Sequence, residues 1–248
     1  MSTCGISSHL NPPKKGFSIQ QLRFTAFDAE PHRTLTQEFH HEGDLMNTPS
    51  YTLVNLQQGT AEWLIWRSQG IGASDAPTIM GENPWKSPAQ LLKEKCEGKS
   101  GSPNAAMARG TALEPEARKS YESRSGVCVV PACLQSVKHD WLRASVDGLA
   151  VNGSTVVEIK CGESVYRKSS TTWKVPDYYV GQLQHILAIT HLPSIDFWCY
   201  LPGRPEVHLR VARDDGYIQR LLEVEASFWQ EIVKKREAGL QQTAGVGR

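Results

Sequence analysis

The six cysteines of this 248-residue chain, at positions 4, 96, 128, 133, 161 and 199, contain no Cys-x-x-Cys pair, and no His-x-x-x-His spacing accompanies them. Those two absences exclude the usual frameworks of a structural zinc site and leave the cysteines as reduced, mostly buried thiols. His139, His185, His191 and His208 are scattered and read as structural. No uninterrupted apolar run reaches the roughly 18–20 residues that a membrane-spanning helix needs. No charged-then-apolar leader opens the chain, so a cytoplasmic setting is expected by default. Charge of one sign is also lacking: 27 Lys and Arg stand against 26 Asp and Glu, a net charge of +1. Dedicated nucleic-acid binders are often strongly basic, so a role on DNA here requires local separation of charge.

With 40% hydrophobic residues the chain can bury one sizeable core. Residues 1–50 carry Pro12-Pro13-Lys14-Lys15 and His40-His41 with few periodic apolar positions, and are expected to be irregular or loosely attached. One domain is expected over 51–240, with a flexible tail over 241–248. One hypothesis takes Met46 as the natural start, with the residues before it coming from an upstream start choice. Thr60 predicts the cap of a helix running to Gln69, and Ser87-Pro88 starts another that stops at Gly98. Ser74 reads as the cap of a helix over Asp75–Met80. A longer helix covers about 105–125. Strands follow at about 127–138, 142–149 and 155–161, then a helix at 177–191, strands at 195–201 and 206–212, and a last helix at 214–238. This order predicts an α/β (α+β) architecture, a mixed sheet flanked by helices.

Asn152-Gly153, between Leu149-Ala150-Val151 and Thr155-Val156-Val157, predicts a two-residue type I′ hairpin. Under that register, residues whose numbers sum to 305 lie opposite each other, so Asp147 faces Glu158 and alternation puts Lys160 beside Glu158. Like charges directly opposite repel. Val156, Val157 and Ile159 make the second strand apolar, and buried charges need a partner or a metal. The economical resolution is a divalent cation between the carboxylates, with the ammonium of Lys160 alongside. The bland alternative is a turn at Asp147-Gly148 and a solvated strand edge.

These residues resemble the metal-dependent nucleases with an Asp…Glu-x-Lys core, the PD-(D/E)xK superfamily, and within it the lambda-type (YqaJ-like) viral recombination exonucleases. Four blocks carry the likeness: Gly59–Arg67 continuing through Ile71–Ala76, Arg109–Ala117, the hairpin, and Tyr178–Gln184. The resemblance implies a restriction-endonuclease-like core holding one or two Mg²⁺ or Mn²⁺ ions on Asp147, Glu158, Glu114 and the backbone carbonyl of Ile159. Lys160 would hold or deprotonate the attacking water. A helix glutamine would reach the centre, Gln184 in preference to Gln182. Tyr179 and Gln182 are candidate substrate contacts, with core packing the alternative for Tyr179. Arg67 and Ser74 would bind the 5′ phosphate of DNA, the former through its planar fork of donors. Against this, Asp75 beside Ser74 disfavours an anion and could take Arg67 as its partner.

The function so implied is 5′-to-3′ digestion of linear double-stranded DNA ends to 5′ mononucleotides, leaving 3′ overhangs for phage-type recombination in a bacterial host cell. Its implied partners are two further copies in a homotrimer and a single-strand annealing protein, with no membrane. Alternatives are an endonuclease of the same core in repair or restriction, or an inactive DNA-binding subunit. Lys86, Lys93, Lys95, Lys99, Arg109, Arg118, Lys119, Arg167, Lys168 and Lys174 are candidates to line a DNA channel.

Overall fold

The protein is represented by a computed structural model that describes residues 49–98 and 105–245. The expectations for the leading segment, Met46, Cys4 and Lys99 lie outside the described residues. β1 (Tyr51–Val54) precedes α1 (Ala61–Ser68), whose N-cap Thr60 accepts from the Trp63 N–H at 3.3 Å. β2 (Ile71–Gly72) leads through a 3₁₀ turn at Ala73–Asp75 into the short α2 (Ala76–Ile79). α3 (Pro88–Glu97) begins at the expected Ser87 cap, which is reciprocal with Gln90. It closes on Gly98 in the left-handed region, φ 65°, where a side chain would be strained. α4 (Ala105–Ser125), β3 (Val129–Ser136), β4 (Leu142–Ala150) and β5 (Val156–Lys160) follow as expected. Next come α5 (Glu163–Thr172), α6 (Asp177–Thr190), β6 (Ser194–Cys199), β7 (Val207–Ala212) and α7 (Asp215–Gly245).

The strands form one open, mostly antiparallel sheet in the order β1-β3-β4-β5-β6-β7, with β2 added in parallel to β4. The β5–β6 pair is parallel, and α5 and α6 carry the crossover between its strands. One face packs through Val156, Leu183, Ile186, Leu187 and Phe197 into the main core. On the other, Ala117 and Tyr121 of α4 cover Val157, Ile159 and Trp198. A third cluster, with Ile71, Leu91, Phe228 and Ile232, ties α3 and α7 to β2. Among the described residues no helix is long and apolar enough to cross a membrane.

The hairpin keeps the expected register but not the expected turn. Gly148 pairs with Val157 and Leu149 with Val156, both sums being 305. The closing bond runs from the Ala150 N–H to the Thr155 carbonyl, so the loop has four residues. Gly153 is at φ 70° and donates to the Ala150 carbonyl, whereas Asn152 stays at negative φ, which rules out type I′. The Asn152 side chain instead accepts from the Ser154 N–H and hydroxyl.

A second departure decides where Asp147 points. Val130 pairs with Leu149 but Ala132 with Val146, so β4 spends three steps against two on β3. The extra residue is a β-bulge at Asp147–Gly148 opposite Pro131, which has no N–H to give the ladder. Val146 and Leu149 thereby both enter the main core, and the β4–β5 ladder ends at Gly148–Val157.

Candidate active site

Beyond the bulge β4 and β5 diverge, and the Asp147 carboxylate occupies the gap. Its Oδ2 accepts the Ile159 backbone N–H at 2.7 Å, a bond that stands in for the missing ladder pair. Glu158, 2% exposed, directs Oε1 to two donors, Lys160 Nζ at 2.5 Å and Gln182 Nε2 at 2.6 Å. Lys160 shares the face of Glu158, as strand alternation requires, and its ammonium lies 4.7 Å from the centre of the Tyr179 ring. Arg118, one turn beyond Glu114 on α4, donates from Nε to the Asp147 carbonyl at 2.8 Å.

The acidic groups are close enough to disturb one another. Burial, with the Glu158 and Glu114 charges, holds the Asp147 carboxyl well above the usual range despite Lys160 and the Ile159 N–H. Glu114 is pushed up by burial and by Glu158, against Lys160, its hydrogen bond to Thr111, and Arg118. Burial favours the neutral form of Lys160, but Glu158, Tyr179 and Asp147 outweigh it and keep the group an ammonium ion. One cation thus serves three carboxyl groups.

This donor set fits a hard divalent cation. Both protein donors to Glu158 go to Oε1, and Oε2 is buried without a hydrogen-bond partner. A buried carboxylate oxygen with no donor is costly unless a positive charge approaches it. Among the described residues no group of three His, Cys, Asp or Glu side chains is arranged to enclose an ion unaided. A cation here would rest on Asp147 and Glu158, with water and phosphate completing its shell, which is how magnesium is commonly held.

A cavity of about 140 Å³ joins this cluster to the end of α1. Its lining includes Asp147, Glu158 and Gln182 together with Arg67 and Ser74. Arg67 donates to the Ser74 hydroxyl at 2.5 Å and lies over the Trp63 ring at 5.1 Å. Asp75 does not take Arg67 as its hydrogen-bonding partner: it binds Lys95 at 2.6 Å in the interior. The guanidinium and the exposed Ser74 hydroxyl therefore remain at the cavity wall.

Several expected roles are redistributed. Gln184 is not at the centre: it donates to the Ala212 carbonyl and accepts from the Asp214 N–H, tying α6 to the start of α7. Gln182 reaches the site instead, because residues two apart on a helix point in nearly opposite directions. Ser74 caps no helix; it sits inside the 3₁₀ turn, and Asp75 Oδ2 takes the Gly72 N–H at 2.9 Å. Lys95 is buried on Asp75, and Lys86 pairs with Glu94 at 2.7 Å, so neither is a free channel cation. Cys128 is exposed while Cys133 and Cys199 are buried. Tyr179 both packs on Phe197 and faces Lys160. Gln58, Arg143 and Ser145 also line the cavity and were not singled out from sequence. The odd numbers of Arg143, Ser145 and Asp147 on one strand were the available signal.

The chain is similar in sequence and fold to known proteins. The chain is 31% identical over 185 residues to an uncharacterized protein, YqaJ, of Bacillus subtilis (strain 168); the match covers 72% of this chain and spans 58% of that protein's length. Its fold is similar to that of an alkaline exonuclease from Laribacter hongkongensis, with 28% identity, a TM-score of 0.66, and coverage of 76% of this chain and 100% of that one. A crystal structure of that exonuclease in complex with dAMP matches equally well. Residues 62–193 match the family described as the YqaJ-like viral recombinase domain, so the chain belongs to that family.

Proposed function

We propose that the protein is a magnesium-dependent exodeoxyribonuclease that digests one strand of linear duplex DNA from a 5′ end, releases 5′ mononucleotides and leaves a 3′ single strand for recombination. The observation that carries this reading is one cavity whose lining holds both the paired carboxylates and the arginine–serine pair. The first suits a phosphodiester with a hard cation, the second a terminal phosphate. Kinship with a protein described as an alkaline exonuclease supports the reaction class.

Asp147, Glu158 and the Ile159 carbonyl would hold the ion, with Glu114 bearing on it from α4. When bound, Mg²⁺ would polarise the phosphodiester and lower the pKa of a coordinated water. Lys160, kept as an ammonium, donates to a phosphate oxygen or to the attacking water and offsets charge in the transition state. Gln182 holds Glu158 through Oε1, which would leave Oε2 for the ion. Arg67 and Ser74 hold the 5′ phosphate and set the distance from strand end to scissile bond. A homotrimer around the duplex and a single-strand annealing partner complete the proposal on family resemblance.

The test is digestion of a labelled linear duplex with Mg²⁺ or EDTA, using wild type and Lys160→Ala. Release of nucleotide that needs Mg²⁺ and drops at least a hundredfold in the variant is expected. Equal release in EDTA, or full activity in the variant, would overturn the assignment.

A further inference from the structure

Trp85 is 71% exposed, the most exposed of the large apolar side chains among the described residues. The loop that carries it is nevertheless firmly built. The N–H groups of Glu82 and Asn83 both donate to the Pro77 carbonyl, Asn83 Nδ2 donates to Thr78 Oγ1 at 2.9 Å, and Asn83 Oδ1 accepts the Trp85 N–H at 2.9 Å. Glu82 accepts the Tyr217 hydroxyl at 2.7 Å, which anchors the loop to α7. A side chain that only lacked room in the core would not need five hydrogen bonds to hold it outward.

The indole is also the outer end of a row of rings. It meets Tyr178 edge-on with centroids 4.7 Å apart, Tyr178 lies 4.7 Å from Tyr179, and Tyr179 lies 4.7 Å from the Lys160 ammonium. Three such steps place the indole at most about four nucleotide spacings of roughly 3.4 Å from the ammonium. Lys168 lies over Tyr178 at 5.0 Å, and an open groove of about 380 Å³ runs beside the indole. Exposed aromatic faces flanked by cations are the means by which proteins bind unpaired nucleic-acid strands without reading their sequence.

We infer that Trp85, braced by Tyr178, is a stacking platform for an unpaired base of DNA a few nucleotides from the scissile bond. The inference rests on the nuclease reading for its ligand, but not for its measurement. A strand leaving the duplex at Lys160 passes along the ring row, and a base stacks on the free indole face.

The experiment is fluorescence anisotropy in EDTA, where no metal-dependent cleavage occurs, on the full chain. The probes are a duplex with several unpaired thymidines at its end, the same duplex with abasic residues in their place, and a blunt duplex. Trp85→Ala is expected to weaken binding to the unpaired thymidines about five- to a hundredfold, the range for loss of one stacked base. Trp85→Phe should restore most of it, and neither variant should change binding to the abasic or blunt probes. Equal affinity of Trp85→Ala and wild type for unpaired thymidines overturns the platform, as does an equal loss on all three probes. If that happens while wild type still cuts DNA with Mg²⁺, the nuclease reading stands; wild type that binds none of the probes overturns the platform, and the nuclease reading is then decided by cutting with Mg²⁺ alone.

Discussion

The Asp75–Lys95 pair lies about nine-tenths buried beneath the turn that presents Ser74, and its disruption has a calculable consequence. Lys95 Nζ is 2.6 Å from Asp75 Oδ2 and also donates to the Gly70 carbonyl at 2.9 Å. Asp75→Asn keeps an acceptor for the Gly72 N–H but removes the counter-charge, leaving a buried ammonium with one neutral partner. Stranding one member of a buried ion pair costs about 3–5 kcal/mol. For a chain of this size that is a fall of roughly 6–20 °C in Tm. Lys95→Met, stranding the carboxylate, should cost a similar amount. The double variant Asp75→Asn/Lys95→Met buries no net charge and should recover most of the loss, since replacing both partners is often neutral. Urea denaturation of all four proteins gives the coupling directly. A single variant within about 0.5 kcal/mol of wild type, or a double variant as unstable as the sum of the singles, would refute the argument.

Three further outcomes follow from particular contacts. Gln182→Ala should lower catalytic activity strongly with little change in Tm, whereas Gln184→Ala should lower Tm by freeing the Asp214 N–H and Ala212 carbonyl while retaining activity; nuclease assays beside thermal melts distinguish them. A methyl group on Gly148 would meet Val129 Cγ2 and Val157 Cγ1 at 2.7 Å, so Gly148→Ala should destabilise by about 1–3 kcal/mol in urea titration. Burial raises the Asp196 carboxyl, but hydrogen bonds from Arg210, Tyr121 and His208 outweigh it and lower the pKa. A depressed folded pKa gives stability that is present above the unfolded value of about 3.9 and lost as pH falls through the folded one. Asp196→Asn should therefore be less stable than wild type at neutral pH, with the gap closing in acid melts.

Much of the scaffold was legible because local signals agreed with the tertiary result. Thr60, Ser87-Pro88 and Gly98 mark helix ends by backbone chemistry that tertiary contacts leave in place. The register of the hairpin was recoverable because the observed four-residue loop is centred on the same Asn152-Gly153 pair, even though its turn has a different form. The bulge at Asp147 was hidden: Asp147-Gly148 reads as either a turn or a strand, and only Pro131 on the partner strand decides. The choice of Gln182 over Gln184 was equally hidden, since Gly181–Thr190 is buried on every side and offers no polar face to orient the helix. β1 and β2 escaped because short strands carry too few residues to show alternation. α5 escaped because Ser169-Ser170-Thr171-Thr172 weakens helix propensity, and its packing on β6 and β7 supplies what the sequence does not.

The central claim is that one cavity holds both the scissile phosphodiester and a 5′ end. Its most direct test is digestion of a linear duplex carrying either a 5′ phosphate or a 5′ hydroxyl, with wild type and Arg67→Ala in Mg²⁺, beside a closed circular control. Release of 5′ mononucleotides from the labelled 5′ end is expected, faster with the phosphate, with no cutting of the circle and with loss of the phosphate preference in Arg67→Ala. Cutting of the circle, or a phosphate preference undiminished in the variant, would contradict it.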